Sequence, residues 1–390
     1  MNILTLNAGS SSIKYKVYSH DNKETTLLLS GLIEGIGESG GAWSHQFRTK
    51  EKYEHQFASH QTAFDAMDIQ LKQDLIGYPI HGVGHRVVHG GKKYFKPTIV
   101  TSKVLKDIEE LSRLAPLHNP INVQGIIYAQ QHFKDAIQVA VFDTGFHHSM
   151  PSYVSQYAID AETARQFDIQ RYGFHGINHE YVAIQAAKYL NNPLKTCHFI
   201  TLHLGNGASA CLIKNGLSFD TSMGMTPLAG LIMGTRCGDI DPAIPKYLME
   251  QGLSVNDVDT LLNKNSGLKG ISNDNDMRKI LARMDASDKA ARLAVEMYVY
   301  AIQKTIGAYF AQSQTLDALV FTGGVGENSA VIRASVIDPL KHLGFILNDT
   351  LNQQHSTQAC HQITDSGIPV LVIKGDEESL IVQKVIEKMR

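Results

Sequence analysis

The sequence has few cysteines, little net charge and no long apolar run. Its 390 residues include four cysteines, with no C-x-x-C pair and no zinc-ligand spacing. Cys197 and Cys211 lie in apolar, strand-like surroundings, which predicts buried thiols in a reducing compartment. No apolar run approaches the ~18 residues of a membrane span, and the amino terminus lacks the features of a signal peptide. A formal net charge of −2 gives no general attraction to nucleic acid or to anionic membranes. These absences predict a soluble cytoplasmic protein.

Two similar stretches open the two halves of the chain, each with a strand, a turn of small residues and a second strand. They are Asn2 to Tyr18 and Thr201 to Ile213, and their glycines Gly9 and Gly205 are 196 residues apart. Small residues let a backbone approach a ligand closely, so each turn is a candidate phosphate cradle; an ordinary hairpin turn is the alternative. The repeat predicts a duplicated architecture with a cleft between the halves.

Two charged residues fall at predicted strand ends in the first half. Arg86 lies in a short strand that ends in Gly90-Gly91, and Asp143 ends the apolar strand that begins at Val139. Strand ends of this kind are where α/β proteins place ligand groups. An arginine in a strand is also often a surface ion-pair partner, and that alternative stays open.

Three further residues occupy positions suited to anions. His118 precedes a predicted helix for which Asn119 could be the cap, and a helix amino terminus attracts anions. His175 lies in a loop next to Gly176. Arg236 lies in the glycine-rich stretch 221–242 and suits phosphate oxygens, although a salt bridge with Asp239 is the alternative.

The remaining features concern helices and glycine-rich turns. Gly205-x-Gly207 resembles a dinucleotide fingerprint only weakly, because a strand follows it. Residues 317–328 predict a strand, a glycine-rich turn and a helix start that could hold a nucleotide. Residues 376–378 place three acids at the start of the last helix, where their only role could be a favourable interaction with the helix dipole.

Helices are also predicted over 62–75, 178–190 and 288–310, and 37–59 is predicted as a polar excursion around Trp43.

Eight motifs spread along nearly the whole chain resemble one family. They are N-A-G-S-S-S-I-K at 7–14, H-R-V-V-H-G-G at 85–91, A-P-L-H-N-P at 115–120, F-D-T-G-F-H at 142–147, Y-G-F-H-G at 172–176, H-L-G-N-G at 203–207, M-G-T-R-C-G-D-I-D-P at 233–242 and T-G-G-V-G-E-N at 322–328. On these motifs the sequence resembles the acetate/propionate kinase family, which has the duplicated two-domain α/β fold of actin, sugar kinases and Hsp70 (ribonuclease H-like).

The resemblance implies an acetate kinase activity with its site in the interdomain cleft. The γ-phosphoryl of ATP would pass directly and in line to acetate, reversibly and with Mg²⁺ (or Mn²⁺), giving acetyl phosphate and ADP. It also implies a domain of 1–149 plus 377–390 for the acyl substrate and phosphate, and a domain of 150–376 for nucleotide binding and dimerisation. The expected partners are these substrates and a second copy of the chain, with no nucleic acid and no membrane.

The resemblance also assigns roles to matching positions. The implied catalytic residues are Asp143, His175, Arg236, His118 and Asn7, with Asn7 and Glu377 serving the metal. The implied substrate-binding residues are Arg86, Val88, Leu117, Phe174 and Pro227. The implied nucleotide-binding residues are Lys14, Ser10, Ser12, His203, Leu204, Gly205, Asn206, Gly207, Asp276, Met277, Arg278, Gly324, Val325, Gly326, Glu327 and Asn328.

Two functions of other classes compete with this one. A non-enzymatic nucleotide-binding protein of the same fold would keep both hairpins, but it would not need Arg86, His118 and an apolar acyl pocket. A NAD-dependent dehydrogenase depends only on Gly205-x-Gly207 and would bind NADH without ATP. Within the kinase interpretation, Val88 narrows the acyl pocket relative to Ala or Gly and favours acetate over propionate, although one methylene discriminates by only ~1–3 kcal/mol.

Overall fold

The computed structural model describes residues 1–21, 24–47, 49–354 and 356–390. The chain divides into two compact units, which we call unit 1 (Met1–Gly145 with Asp376–Arg390) and unit 2 (Phe146–Gly375). Within the described ranges, no helix is both long enough and apolar enough to cross a membrane.

The described part of the chain contains sixteen strands. They are β1 (Asn2–Ala8), β2 (Ser12–His20), β3 (Thr25–Glu34), β4 (Ala42–Gln46), β5 (Lys50–Glu54), β6 (Ile80–Val87), β7 (Thr98–Ile99), β8 (Ile137–Phe142), β9 (Phe199–Leu204), β10 (Ala208–Lys214), β11 (Leu217–Thr221), β12 (Ala318–Thr322), β13 (Phe345–Leu347), β14 (Cys360–Gln362), β15 (Thr364–Gly367) and β16 (Val370–Ile373).

Fifteen α-helices accompany these strands within the described residues. They are α1 (His60–Asp74), α2 (Ser102–Glu110), α3 (Asn119–His132), α4 (Ser152–Ser155), α5 (Ala161–Gln166), α6 (Gly176–Tyr189), α7 (Ala243–Glu250), α8 (Val255–Lys264), α9 (Gly267–Ser272), α10 (Met277–Asp285), α11 (Lys289–Gln312), α12 (Gly323–Asn328), α13 (Ala330–Ile337), α14 (Asp349–Gln353) and α15 (Glu377–Met389).

Unit 1 is built on a mixed sheet with the strand order β5-β4-β3-β2-β1-β6-β8-β7. Strands β1, β2 and β3 form an antiparallel meander, and β6 and β8 run parallel to β1. Helices α3 and α15 pack on β1, β6 and β8. Because β1, β6 and β8 are parallel, their carboxyl ends meet at one edge of the sheet, where ligand groups collect in α/β folds.

Helix α15 fits unit 1 through two glycines of β6. A Cβ built on Gly84 would lie 2.4 Å from Ile381, and one built on Gly82 would lie 2.8 Å from Val385. Real Cβ atoms do not approach so closely, so the absence of side chains at these positions lets the helix lie directly on the strand. This contact sets how near the start of α15, with its acidic residues, comes to the strand ends.

Unit 2 is built on a sheet with the strand order β11-β10-β9-β12-β16-β14, and a two-stranded sheet joins β13 to β15. Strands β9, β10 and β11 again form an antiparallel meander, and β12 and β16 run parallel to β9. The five strands β11-β10-β9-β12-β16 therefore repeat the order and directions of β3-β2-β1-β6-β8. The duplicated α/β architecture predicted from the two hairpins is confirmed.

The structure corrects several element predictions. The excursion predicted over 37–59 contains β4 and β5, and helix α1 begins at His60 with Ser59 and Thr62 as its capping box. Helix α6 begins two residues earlier than predicted, directly after His175. The long helix predicted over 288–310 is confirmed as α11, which buries one face made of Ala291, Ala294, Val295, Tyr298, Val299, Ile302, Ile306 and Tyr309.

Candidate active site

The strand ends of unit 1 gather three oxygen acceptors around Arg86. Its Nη1 donates to Asn7 Oδ1 at 3.1 Å, its Nη2 forms an ion pair with Asp143, and its Nε lies 3.8 Å from Glu377 Oε2. Asn7 comes from β1, Arg86 from β6 and Asp143 from the residue after β8, so parallel strand ends bring them together. Three predicted site residues, Asn7, Asp143 and Glu377, therefore lie around a fourth, Arg86.

The charges of this cluster depend on one another. Burial alone would lower the pKa of Arg86, but Asp143 and Glu377 outweigh it and raise that pKa well above its usual value. Burial raises the pKa of Glu377 above its usual value, and Arg86 opposes that rise. Arg86 is therefore a permanent cation, and the Nε–H of its buried guanidinium has no hydrogen-bond partner among the described residues. A buried donor of this kind is unusual in proteins and suits a carboxylate ligand.

Glu377 is oriented by its two acidic neighbours. Lys16 Nζ lies 2.7 Å from Asp376 Oδ1 and 3.2 Å from Glu378 Oε2, and Lys14 Nζ lies 2.9 Å from Glu378. These pairs attach the first turn of α15 to β2, so that Glu377 between them faces Arg86. Lys14 was predicted to contact the nucleotide. In the structure it pairs with Glu378, a residue of unit 1 that is distant in sequence.

The residues around Arg86 also fit a magnesium ion. Asn7, Asp143 and Glu377 carry amide and carboxylate oxygens, the ligands that Mg²⁺ prefers, and Mg²⁺ commonly takes only one or two protein carboxylates together with water and phosphate oxygens. Within the described residues, no group of three or more His, Cys, Asp or Glu side chains could hold a metal by itself. The donor set fits an ion that is bound together with a phosphate compound.

The other predicted residues of unit 1 lie along the same strand ends and the next helix. His118 itself is the N-cap of α3, whereas the side chain of Asn119, predicted as the cap, bonds instead to the backbone of His89 and Ile108. Val88 is buried and Leu117 is exposed.

Ser10 and Ser12 belong to the first hairpin turn, which is closed by a 2.7 Å bond from Gly9 N to Ser12 O. Sequence reasoning missed His60, whose Nε2 lies 2.8 Å from Gly9 O and anchors this turn. A histidine at the start of a helix gives no local signal of that role.

In unit 2 the second hairpin turn lies beside His175 and Arg236. Gly205 N bonds to Gly207 O at 2.9 Å, and β10 follows, as the sequence predicts. A Cβ built on Gly207 would lie 3.4 Å from His175 Nε2 and 3.7 Å from Arg236 Nη1. The turn, the imidazole and the guanidinium therefore lie close to one point.

Arg236 has no carboxylate partner among the residues that the structure describes. Its Nη1 donates to Pro227 O at 2.8 Å, and burial lowers its pKa from the usual value. The alternative partner, Asp239, instead accepts from Gly230 N at 2.7 Å. A buried cation without a counter-ion is costly, and a bound anion would relieve that cost.

His175 is held in an unusual backbone conformation. It is the N-cap of α6 with a left-handed φ of 56°, and its ring stacks on His203 at 4.1 Å between centroids. His203 Nδ1 lies 2.7 Å from Asn178 Nδ2. Phe174, the preceding residue, is fully buried.

A cavity of about 840 Å³ in unit 2 gathers most of the predicted nucleotide-binding residues. Its lining includes Gly205, Asn206, Asp276, Met277, Arg278, Gly324, Val325, Glu327 and Asn328. Leu204, Gly207, His203 and Gly326 are not part of the lining; Leu204 is buried in the sheet. Glu327 accepts bonds from Gly323 N at 2.9 Å and Gly375 N at 3.0 Å, which shapes this glycine-rich wall.

The cavity also has lining residues that sequence reasoning missed, among them Arg333, Asn352 and His361. Arg333 is buried and donates to the carbonyls of Gly326 and Glu327 at 2.9 Å each. It therefore braces α12, half of which is glycine and which would be a weak helix alone. Its only sequence signal is an arginine inside the apolar stretch of α13.

The repeated five-strand order defines a duplicated α/β protein, and the cationic residues at its strand ends and turns fit a phosphotransferase. The Acetokinase family model matches residues 2–383. The chain belongs to this family, and it is an enzyme, a phosphotransferase with a carboxyl group as acceptor. The dehydrogenase and non-enzymatic alternatives are wrong.

Individual relatives agree with this assignment. The chain is 46% identical over 395 residues to an acetate kinase of Sulfurovum sp., covering 98% of each chain. Its structure is similar to a propionate kinase from Francisella tularensis, with a TM-score of 0.92, 39% identity and 99% of each chain covered. It is also similar to the Porphyromonas gingivalis acetate kinase, with a TM-score of 0.90, 37% identity and 100% of each chain covered.

Proposed function

We propose that this enzyme transfers the γ-phosphoryl of ATP directly to acetate, giving acetyl phosphate and ADP, and that it catalyses the reverse reaction. The observation that carries the proposal is Arg86, a permanent cation at the strand ends of unit 1 whose buried Nε–H has no hydrogen-bond partner among the described residues. A small carboxylate is the ligand that such a donor fits. In this proposal unit 1 binds the acyl substrate, and the cavity of unit 2 binds the nucleotide.

Acetate needs no strong general base. A carboxylic acid with a pKa near ~4–5 is ionised at pH 7, so the acetate oxygen is already a nucleophile. Arg86 would bind this carboxylate, and Asp143, which is paired with Arg86, would fix the guanidinium and act as a positioning group. Asn7 and His118 would assist at the same strand ends. Within unit 1, Val88 and Leu117 would contact the methyl group.

The main barrier is the repulsion between two anions, because phosphoryl transfer depends on positioning and charge stabilisation more than on covalent help. Arg236 and His175 would donate to the equatorial oxygens of the transferring group. Support comes from Arg236 having no carboxylate partner in the described residues and from both side chains approaching Gly207. Asn7 and Glu377 would hold the Mg²⁺ (or Mn²⁺) bound with ATP, which supplies charge neutralisation at the phosphate oxygens.

A homodimer that forms through unit 2 is part of the proposal. Leu293, Met297 and Tyr300 on α11 are 51%, 41% and 67% exposed, and their spacing puts them on one face of the helix. A stripe of exposed large apolar side chains is typical of a protein interface. The dependence on ATP and four free cysteines support a cytoplasmic location.

The test is acyl-phosphate formation, trapped with hydroxylamine, from ATP and Mg²⁺ with acetate, propionate or butyrate. We expect most product with acetate, less with propionate, and a loss on the order of 10³-fold in Arg236→Ala, by analogy with arginine fingers. Arg165→Ala, which removes an arginine that is 72% exposed, is the matched control. Normal turnover in Arg236→Ala, or no product with any acid, would contradict the proposal.

A further inference from the structure

A chain of hydrogen bonds leads from the buried sheet of unit 2 to His175. Thr201 Oγ1 lies 2.7 Å from His179 Nδ1, His179 Nε2 lies 2.8 Å from Ser209 Oγ, and Ser209 Oγ lies 2.9 Å from His175 Nδ1. Thr201, His179 and Ser209 are fully buried. None of these three has a role in the proposed transfer, although two come from the second hairpin.

The chain fixes which ring nitrogen of His175 faces Gly207. Because Nδ1 bonds to Ser209, the other nitrogen, Nε2, is the one that approaches Gly207, 3.4 Å from the place of its missing Cβ. Arg236 Nη1 approaches the same place. The nitrogen that would meet a phosphoryl oxygen is therefore Nε2.

The direction of the hydrogen bonds decides whether neutral His175 offers an N–H or a lone pair at Nε2. His179 carries one N–H, because burial lowers its pKa well below the usual value and keeps it neutral. If Thr201 donates to His179, then His179 donates to Ser209, and Ser209 donates to His175 Nδ1. The proton of neutral His175 is then on Nε2. The opposite direction puts it on Nδ1.

The geometry favours the first direction. In the second direction Thr201 accepts from His179, and its own proton is left with Cys211 O, 3.5 Å away, at the limit of a hydrogen bond. In the first direction that proton forms the 2.7 Å bond to His179. A phosphoryl oxygen also attracts an N–H and repels a lone pair.

We propose that Thr201, His179 and Ser209 are positioning residues that keep neutral His175 as an Nε2–H donor toward the transferring phosphoryl group. The inference rests on the proposed role of His175 in phosphoryl transfer. It assigns a role to three buried residues that do not contact the substrates in the proposed transfer.

The first test compares two substitutions at Thr201. Thr201→Val keeps the shape and removes the hydroxyl, whereas Thr201→Ser keeps the hydroxyl. We expect kcat to fall on the order of 10-fold in Thr201→Val, a size typical when a supporting partner of a functional histidine is lost. The KM values for ATP and acetate should change little, and Thr201→Ser should retain more kcat than Thr201→Val. Equal losses in the two variants would mean a packing role and overturn the proposal.

The second test places Ser209→Ala in the wild-type and His175→Ala backgrounds. If Ser209 acts through His175, Ser209→Ala should lower kcat in the first background and have no further effect in the second. An equal loss in both backgrounds would overturn the proposal. A normal kcat in His175→Ala alone would instead overturn the role proposed for His175 in the transfer.

The third test is the tautomer itself, measured by ¹⁵N–¹H NMR of histidine-labelled protein. Wild type should show His175 as the Nε2–H form, and Thr201→Val should lose that preference. An Nδ1–H form in wild type would overturn the proposed direction of the chain, whatever the kinetics of the variants.

Discussion

Asp239 accepts a hydrogen bond from the backbone amide of Gly230 at 2.7 Å, and Asp239 N donates back to Gly230 O at 3.0 Å. The two bonds close a loop of which Arg236 is part. Gly230 has a φ of 97°, which only glycine adopts readily. Asp239 is engaged in this way, and the guanidinium of Arg236, three residues before it, has no carboxylate partner in the part of the chain that the structure describes.

Removing the carboxylate of Asp239 should therefore lower kcat, because the loop that contains Arg236 would no longer be closed. A hydrogen bond to a charged group contributes about 1.5–3 kcal/mol, so we expect Asp239→Ala to lower kcat roughly 10- to 100-fold. Asp239→Asn keeps an acceptor oxygen and should retain most of kcat. The hydroxamate assay measures both. If kcat falls as much in the asparagine variant as in the alanine variant, the hydrogen bond that closes the loop is not the cause of the fall.

Lys16 should be important for the stability of unit 1. It pairs with Asp376 and with Glu378, whose side chain is only 1% exposed. Lys16→Met would leave Glu378 with Lys14 alone, and breaking a buried ion pair typically costs about 3–5 kcal/mol. We expect a loss in the free energy of unfolding near the lower end of that range.

Urea unfolding followed by the fluorescence of Trp43 measures this change, because the sequence has a single tryptophan and it lies in unit 1. Lys106→Met, which removes one end of an exposed pair, is the control and should change stability by less than about 1 kcal/mol. Equal effects of the two variants would contradict the prediction.

The stability of unit 2 should fall as the pH falls from about 6.5 toward about 4. Burial lowers the pKa of His147 to about 4, so between these values the unfolded chain binds a proton that the folded protein does not. Each such group contributes a slope of up to ~1.4 kcal/mol per pH unit. His147→Gln should reduce the slope of unfolding free energy against pH, measured by far-UV circular dichroism. An unchanged slope would show that His147 does not contribute.

Val88 should set the preference between acetate and propionate. It is buried directly after β6, and its backbone N–H donates to Asn122 Oδ1 at 3.0 Å. We expect Val88→Ala to shift the ratio of kcat/KM toward propionate by about 1–3 kcal/mol, the size of one methylene contact. Initial rates with both acids measure the ratio. A ratio that stays constant while both rates fall would mean that Val88 does not line the acyl site.

Much of the fold could be predicted because its signals are local. Apolar runs and small-residue turns gave the two hairpins and the strand before Asp143, and helical periodicity gave α11. Strands β4 and β5 were missed because their residues are polar, and β5 is exposed throughout. Their edge of the sheet is formed by pairing with β3, which a reading of residues 42–54 cannot detect.

The site was predictable where function depends on motifs and less so where it depends on distant contacts. Nine predicted residues line one cavity. Six of them belong to compact motifs, whereas Asp276, Met277 and Arg278 lie outside the eight motifs. Lys14 pairs with a carboxylate 364 residues away, and Asn119 bonds to the backbone of His89. No local pattern indicates either contact. The same holds for His60 and Arg333, whose partners include backbone carbonyls.

The contact between α15 and the glycines of β6 has a consequence for how the protein is made. On the ribosome, β6 emerges long before α15, and all of residues 146–375 are synthesised in between. Until Ile381 and Val385 arrive, the strand surface at Gly82 and Gly84 has no cover. The nascent chain therefore carries an open apolar face while unit 2 is being translated, a state that is prone to aggregation and that chaperones shield.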